Sequence, residues 1–257
     1  ADGGRATSGD FDATEQPAVA VARAAVCDRR TCELLGVRAR RGFLALRANA
    51  EMSMPLLTLL GLIAAPAVPD MPAALQVVAV APEYPGRLPG DERWLIYLDG
   101  PVDPGATSRV VSLILTEHIA HAVVYLNSPG GSLVTAMQLG RVLREHSFDT
   151  RVGTRTMDAT RATAGTCHSA CPFVLAGGVR RSLEQGSAIG LHRAENRVPL
   201  DEEKAFQHVV RTQVVEYLAE MGVRAEIADI MDAIPHDRIR DLTVDEALQL
   251  NLLTERR

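Results

Sequence analysis

The sequence predicts an α/β domain with a mostly parallel sheet, because short buried strands alternate with amphipathic helices. Three apolar runs have the length of buried strands, at residues 94–98, 122–126 and 150–152. Segments with a helical spacing of apolar residues separate them, at 107–117 and 133–146. This alternation is typical of crossover units, which place successive strands side by side in one direction. Ligands bind such sheets beyond the carboxyl ends of the strands.

The alternation continues toward the end of the chain. Pro172 is tolerated in the first turn of a helix, and the apolar residues that follow it predict a short buried helix. Thr243 and Glu246 have the spacing of a capping box, which marks the start of the last helix. The remaining predicted elements are a helix at 172–176, a strand at 187–191 and helices at 201–221, 225–233 and 243–250.

Composition and charge argue against several classes of function. The 257 residues suffice for one sizeable α/β domain or two small ones. The net charge is −5 and no basic stripe with interleaved aromatic residues is present, so we do not expect a nucleic-acid partner. No apolar run reaches the ~20 residues of a membrane-spanning helix. The four cysteines form two close pairs without zinc-finger spacing, and we expect neither a metal nor a cofactor.

The first 92 residues are expected to lie outside the regular domain. Residues 1–51 have weak periodicity, which predicts a disordered or non-native extension. A basic region followed by an apolar run and an A-x-A end makes 52–67 a signal-like segment, with a translation start near Met52 or Met54. This pattern predicts an exported or periplasmic protein; the alternative is a short apolar helix in a cytoplasmic one. Prolines and glycines dominate 68–92, which predicts a linker or extended arm.

Three loops should meet at one edge of the sheet. The first follows the second strand and contains Gly130 and Gly131, which allow a sharp backbone turn. The second contains Ser169, at or just before a helix N-terminus, where free N–H groups and the helix dipole surround a hydroxyl. The third begins with His192, at the end of a strand. The ordinary alternatives are helix N-caps for the serines and a structural histidine.

Cys167 and Cys171 flank Ser169 in the sequence. At helical i,i+4 spacing their Cα atoms would lie about 6 Å apart, near the upper range for a disulfide. A bridge is therefore feasible if Cys167 lies outside the helix, and it would constrain the serine turn. The sequence is equally compatible with Cys167 and Cys171 as two free thiols buried among apolar residues.

Taken in order, these segments resemble one family. They are residues 98–103 (LDGPVD), 127–132 (NSPGGS), Ser169 and 190–192 (GLH). They resemble the Clp protease proteolytic subunit (ClpP), of the ClpP/crotonase fold. The form Cys-His-Ser-Ala-Cys is similar to a bacterial branch of ClpP-like proteins predicted to be periplasmic. The resemblance covers residues 93–254 and implies a ClpP-like domain at 93–257.

The resemblance implies a role for each matching residue. Ser169 takes the position of the nucleophile and His192 that of the general base. The amides of Gly131 and Ala170 take the position of the oxyanion hole, which stabilises the charge that develops on the carbonyl oxygen. The residue types fit this chemistry, because a serine hydroxyl is a weak nucleophile until a base removes its proton.

The acid of the family lies just before the final helix, which here corresponds to Asp237 or Asp241. Asp241 lies two residues before the cap at Thr243, where a carboxylate favours the helix dipole. Asp237 lies in the loop that the resemblance brings toward His192. Because its position beside the helix cap leaves Asp241 less freedom to turn inward, we predict Asp237 as the acid and Asp241 as the alternative.

The predicted function is a serine peptidase that acts on peptides or unfolded protein segments, and the resemblance implies a homo-oligomer. Residues 153–166 are longer than the family's strand-to-serine link and are expected to form a flap. This difference, and the absence of an identifiable docking motif, argue against an ATPase partner.

Two other functions are compatible with the same sequence. The first is a non-catalytic ClpP-fold binding or scaffold protein, because no aspartate matches the family's acid position without a gap. The second is a crotonase-type acyl-CoA enzyme, which uses the same backbone oxyanion hole but has no use for a serine–histidine pair. Reaction with a serine-directed fluorophosphonate would distinguish the peptidase from both.

Overall fold

The structure, a computed structural model, describes residues 20–22, 74–87, 90–157, 159–195 and 202–256. The predicted signal-like segment at 52–67 and nearly all of the extension at 1–51 lie outside these ranges. All of the elements described below belong to one structural unit. Within the described ranges, no helix combines the length and the apolar character needed to cross a membrane.

A six-stranded sheet, called the large sheet below, forms the centre of the protein. Its neighbouring strands pair in parallel, except that β2 and β3 are antiparallel. The prediction of an α/β protein with a mostly parallel sheet is confirmed. The strands, in spatial order, are β1 (Ala20–Ala22), β2 (Gln76–Val80), β3 (Trp94–Asp99), β4 (Ala122–Asn127), β5 (Asp149–Val152) and β9 (Arg181–Leu183).

Helices cover one face of the large sheet, and the apolar residues between them form the main core. Alternate strand residues such as Ile96, Val124 and Leu126 pack there with Leu139 and Phe173 from the helices. All predicted helices are present, with ends within two residues of those expected. They are α1 (Ala106–Glu117), α2 (Leu133–Glu145), α3 (Cys171–Ala176), α4 (Glu203–Glu220), α5 (Glu226–Ala233) and α6 (Val244–Gln249).

Three strands of the large sheet were not predicted. β1 lies inside the segment expected to be a disordered or non-native extension. β2 lies inside the segment expected to be a linker or arm, where prolines and glycines obscure a five-residue strand. Its Val77 and Ala79 are buried against the main core, because the strand pairs along its length with β3. β9 has only three residues, which is too short for a periodic pattern.

A second, three-stranded sheet, called the small sheet, stands next to the large one. It contains β8 (Thr166–His168), β10 (Ala188–Leu191) and β11 (Arg240–Asp241), with β10 in the middle. β8 is parallel to β10, and β11 is antiparallel to it. The segment predicted as a flap contains a two-stranded hairpin, β6 (Thr154–Arg155) and β7 (Ala162–Thr163).

Candidate active site

Ser169 occupies a tight turn between a strand and a helix. β8 ends at His168, and α3 begins at Cys171 with Ala170 as its N-cap. Ser169 has φ +60°, a left-handed conformation that costs a residue with a side chain roughly 1–2 kcal/mol. Its amide donates to the Gly190 carbonyl at 3.0 Å, which fixes the turn against β10. Strain of this kind persists where the surrounding structure over-determines it, often at functional sites.

A disulfide closes the serine turn. The structure joins Cys167 to Cys171, whose Cα atoms are 5.1 Å apart, within the range that a bridge requires. Both residues are fully buried. A bridge was predicted to be feasible if Cys167 lies outside the helix. Cys167 lies in β8, so this condition is met. Ser169 therefore lies inside a short covalent loop that limits the conformations of its backbone.

The glycine-rich loop after β4 packs directly against this turn. A Cβ on Gly130 would lie 2.5 Å from Ser169 Cβ, so only glycine fits there. The loop is also paired with β8, because the Ser128 amide donates to the Thr166 carbonyl at 2.7 Å and its carbonyl accepts from the His168 amide at 3.0 Å. Residues that are far apart in the sequence are thereby held in one rigid unit.

The amides of Gly131 and Ala170, predicted as the oxyanion hole, have no hydrogen-bond acceptor among the residues that the structure describes. Gly131 has φ +135°, and a Cβ there would lie 2.5 Å from the Val102 carbonyl oxygen. This contact with Val102 sets the orientation of the Gly131 peptide. Because backbone N–H groups in folded proteins are nearly always paired, two unpaired amides beside a cavity are suited to receive a ligand oxygen.

The motif at 98–103 supports the glycine-rich loop and does not supply a reacting group. The Asp103 carboxylate accepts from the Leu75 and Gly105 amides, each at 2.9 Å, and pairs with Arg109. Burial raises the pKa of Asp103, but these hydrogen bonds outweigh it and leave the pKa below its usual value. Asp103 therefore joins the start of β2 to the backbone on which Gly131 packs.

His192 follows β10 and lines the same cavity as Ser169. Its Nδ1 lies 2.8 Å from the Arg193 carbonyl oxygen. Because a carbonyl oxygen only accepts, this hydrogen bond requires the proton on Nδ1. The neutral ring then has its lone pair on Nε2, the tautomer that a general base needs.

Neither predicted aspartate contacts His192. Asp237 is exposed and makes no hydrogen bond or ion pair with another described residue. Asp241 Oδ1 instead lies 3.2 Å from Nε2 of His168, the residue before the serine. In the described part of the chain, the group that orients the His192 ring is therefore the backbone carbonyl of Arg193, and no contact supports a role for Asp237 as the acid.

Sequence reasoning missed the contact between His168 and Asp241. It crosses the small sheet, from β8 to β11 over Gly190 in β10. A Cβ on Gly190 would lie 2.8 Å from His168 Cδ2 and 2.7 Å from Asp241 Oδ1, so glycine leaves room for the contact. A glycine inside a predicted strand was the available signal, because it often marks a close approach of another chain segment.

Ser169, His192 and Gly131 open into one cavity of about 580 Å³, a size typical of ligand sites. Its walls are mostly apolar, and Glu195 is the acidic side chain among the described residues that line it. The apolar lining side chains include Leu133, Val134, Phe173, Phe206, Val209, Val210 and Met231.

The residues described do not include a group of three or more His, Cys, Asp or Glu side chains placed to bind a metal. No protein-family model matches the sequence, and no curated protein is significantly similar to it. The function is therefore inferred from the motifs and from the geometry of the serine turn.

Proposed function

We propose that this chain is a serine peptidase-like hydrolase with a ClpP/crotonase-like fold. The observation that carries the proposal is the position of Ser169. It lies in a left-handed strand-to-helix turn that opens into the same cavity as His192 and the amides of Gly131 and Ala170, which have no acceptor among the described residues. A nucleophile, a base and an oxyanion site around one cavity are the parts that acyl transfer requires.

Each part has a defined step in peptide cleavage. Nε2 of His192 takes the proton from Ser169 Oγ as Oγ attacks the substrate carbonyl carbon. The amides of Gly131 and Ala170 donate to the oxyanion of the tetrahedral intermediate. The proton passes from His192 to the leaving amine as the C–N bond breaks, and an acyl-enzyme remains. Water, deprotonated by His192, then attacks the ester and releases the acid and Ser169.

The walls of the cavity favour a peptide or an unfolded segment as substrate. Val134 and Val209 are 56% and 54% exposed at this cavity, although both are large apolar side chains. Exposed apolar residues that cluster at a cavity are typical of surfaces that a ligand covers. A peptide with apolar side chains would cover them while its carbonyl group reaches Ser169.

Export and self-association are parts of the same proposal. The buried disulfide beside Ser169 supports export, because such bridges form and persist in oxidising compartments. The homo-oligomer rests on the resemblance of the motifs, and the proposal does not include an ATPase partner.

Labelling by a fluorophosphonate tests the proposal, because the probe reacts only with an activated serine. We expect the wild-type chain to be labelled once, and Ser169→Ala to lose labelling while its unfolding transition is unchanged. Ser132→Ala is the matched control. Ser132 lines the same cavity, but its hydroxyl accepts from the Thr135 amide as a helix cap. Its loss should cost about 1 kcal/mol of stability and leave labelling intact.

His192→Gln tests the base. We expect the labelling rate to fall by about 10³-fold, within the range attributed to general-base catalysis. Equal labelling of Ser169→Ala and wild type would disprove the nucleophile. A folded wild-type chain that no serine-directed probe labels would instead favour the non-catalytic binding protein.

A further inference from the structure

A second cavity, of about 200 Å³, adjoins the Ser169 cavity and lies between α2 and α4. The described residues that line it are Val134, Met137, Gln138 and Arg141 of α2 and Gln213 and Glu216 of α4. Val134 and Gln213 also line the Ser169 cavity. Both of these side chains are exposed, so a ligand can pass from one cavity into the other without displacing a buried group.

The second cavity extends along the two helices, away from Ser169. Its far end is marked by an ion pair, in which Arg141 Nε lies 2.8 Å from Glu220 Oε2. Arg141 and Glu220 each lie about two helical turns beyond Val134 and Gln213, a distance of about 10 Å along the helix axes. An extended peptide rises about 3.3 Å per residue, so about three residues would span the second cavity.

Buried contacts fix the walls of the second cavity. A Cβ on Gly140 of α2 would lie 1.9 Å from Tyr217 Oη of α4, so glycine lets the two helices approach closely. The Tyr217 hydroxyl donates to the Phe173 carbonyl at 2.5 Å. Because these contacts are present before a ligand binds, little of the binding free energy is lost in ordering the walls.

The exposed polar side chains of the second cavity are available to a ligand. Those of Gln138, Gln213 and Glu216 make no hydrogen bond or ion pair with another described residue. Glu195, in the Ser169 cavity, also lacks an ion-pair partner in the described ranges, whereas the charge of Arg141 is paired with Glu220. The uncompensated carboxylates therefore favour a ligand that carries positive charge.

We propose that a substrate peptide bound at Ser169 continues through the second cavity and places a lysine or arginine side chain at Glu216, about three residues from the residue at Ser169. This inference rests on the proposed function, because it treats the second cavity as part of the substrate site. The carboxamides of Gln138 and Gln213 can both donate to and accept from the peptide backbone. The apolar stem of the basic side chain can cover exposed apolar surface on the walls.

Calorimetric titration of the inactive Ser169→Ala chain measures peptide binding without cleavage. The first peptide, blocked at both ends, is Lys-Ala-Ala-Leu-Ala-Ala-Lys, in which a lysine lies three residues from the leucine in either direction. In the second peptide, glutamate replaces both lysines. We expect the lysine peptide to bind about fivefold more tightly at low ionic strength, because attraction at the exposed Glu216 replaces repulsion.

A peptide of the same composition tests the distance. In Ala-Ala-Lys-Leu-Lys-Ala-Ala the lysines lie directly beside the leucine, too close to reach Glu216 when the leucine occupies the Ser169 cavity. We expect this peptide to bind more weakly than the first one, although its charge is identical. Equal affinities would show that the second cavity does not select the position of the basic residue, which contradicts the proposal.

Glu216→Lys, introduced into the Ser169→Ala chain, tests the contact itself. The ratio of the affinities for the lysine and glutamate peptides should fall about tenfold, because the variant reverses the charge at this exposed position. Glu145→Lys is the matched control. It makes the same change in net charge on α2, at an exposed residue that lines neither cavity, and should leave the ratio within about twofold of its original value.

Equal ratios in the two lysine variants would overturn the proposal. These measurements do not depend on catalysis, so they separate this inference from the proposed function. A chain that is labelled by a fluorophosphonate but binds peptides independently of Glu216 would contradict this inference alone. A chain that binds the lysine peptide through Glu216 but is not labelled would contradict the hydrolase and leave a peptide-binding protein.

Discussion

The large and small sheets differ in how they are built. The large sheet joins β3, β4 and β5 through the helices that lie between them in the sequence, and many of its side chains are fully buried. The small sheet joins strands of three, four and two residues from segments that are distant in the sequence. It contributes fewer buried side chains, but the serine turn and His192 both lie at its ends.

We therefore expect the two sheets to contribute differently: the large sheet to the stability of the protein, and the small sheet to the position of Ser169. Apolar burial is the main favourable contribution to folding, so damage to the core of the large sheet should lower the free energy of unfolding. The small sheet and the glycine loop hold backbone groups around Ser169. Changes there should lower the rate of reaction with a fluorophosphonate more than they lower stability.

The largest effect is expected in the main core. Leu139 of α2 is fully buried, so Leu139→Ala should lower the free energy of unfolding by about 2–5 kcal/mol, measured by denaturant titration. Its labelling rate per folded molecule should remain that of wild type. Leu115→Ala is the control, because Leu115 is 64% exposed and should change stability by less than about 0.5 kcal/mol. If the labelling rate per folded molecule fell together with the stability of Leu139→Ala, the core of the large sheet would also position Ser169.

The next effect is expected at Gly130. A methyl group there would lie 2.5 Å from Ser169 Cβ, and the residue has φ +108°. Gly130→Ala should lower the labelling rate about a hundredfold, because small displacements of a reacting group cost that much. Gly222→Ala is the matched control. Gly222 also has a positive φ, +66°, but nothing lies within 4 Å of its added Cβ. It should lose about 1 kcal/mol of stability and no labelling. Equal labelling rates in the two variants would show that the glycine loop does not position Ser169.

A smaller effect is expected from the disulfide. Because the bridge closes a short loop, its removal should cost only about 2 kcal/mol of stability. The double variant Cys167→Ala/Cys171→Ala should also lower the labelling rate about tenfold, since Ser169 would relax from its left-handed conformation. Cys27→Ala/Cys32→Ala serves as the control for cysteine replacement and should label like wild type. An unchanged rate in the first double variant would mean that the turn is held by backbone contacts alone.

The smallest effect distinguishes the two aspartates. Asp241→Asn should lower the labelling rate by about two- to tenfold, because Asp241 contacts the histidine next to Ser169 from an exposed position. Asp237→Asn should label at the wild-type rate, since Asp237 is exposed and has no partner among the described residues. This ranking reverses the one that the sequence favours. A larger loss in Asp237→Asn would return the role of the acid to Asp237.

The large sheet could be predicted because its signals are local. The apolar runs of β3, β4 and β5 are long enough to show their burial, and the spacing of apolar residues marks α1 and α2. β1 and β9 were missed because each has only three residues, and β2 was missed because it lies among prolines and glycines.

The candidate site was predictable in part. Ser169, His192 and Gly131 were selected from the motifs, and the structure places all three around one cavity. The contact between His168 and Asp241 was missed because its partners lie in different strands of the small sheet, neither of which has a periodic pattern.

Sequence patterns predict the helices, the longer strands β3, β4, β5 and β10, the start of α6 at its capping box and the place of Ser169 near a helix N-terminus. The partner that each polar group takes depends on the folded structure: Asp241 lies beside His168, and the Arg193 carbonyl orients His192. Periodicity and capping depend on residues within a few positions of each other, whereas a hydrogen bond depends on distances between segments that meet only after folding.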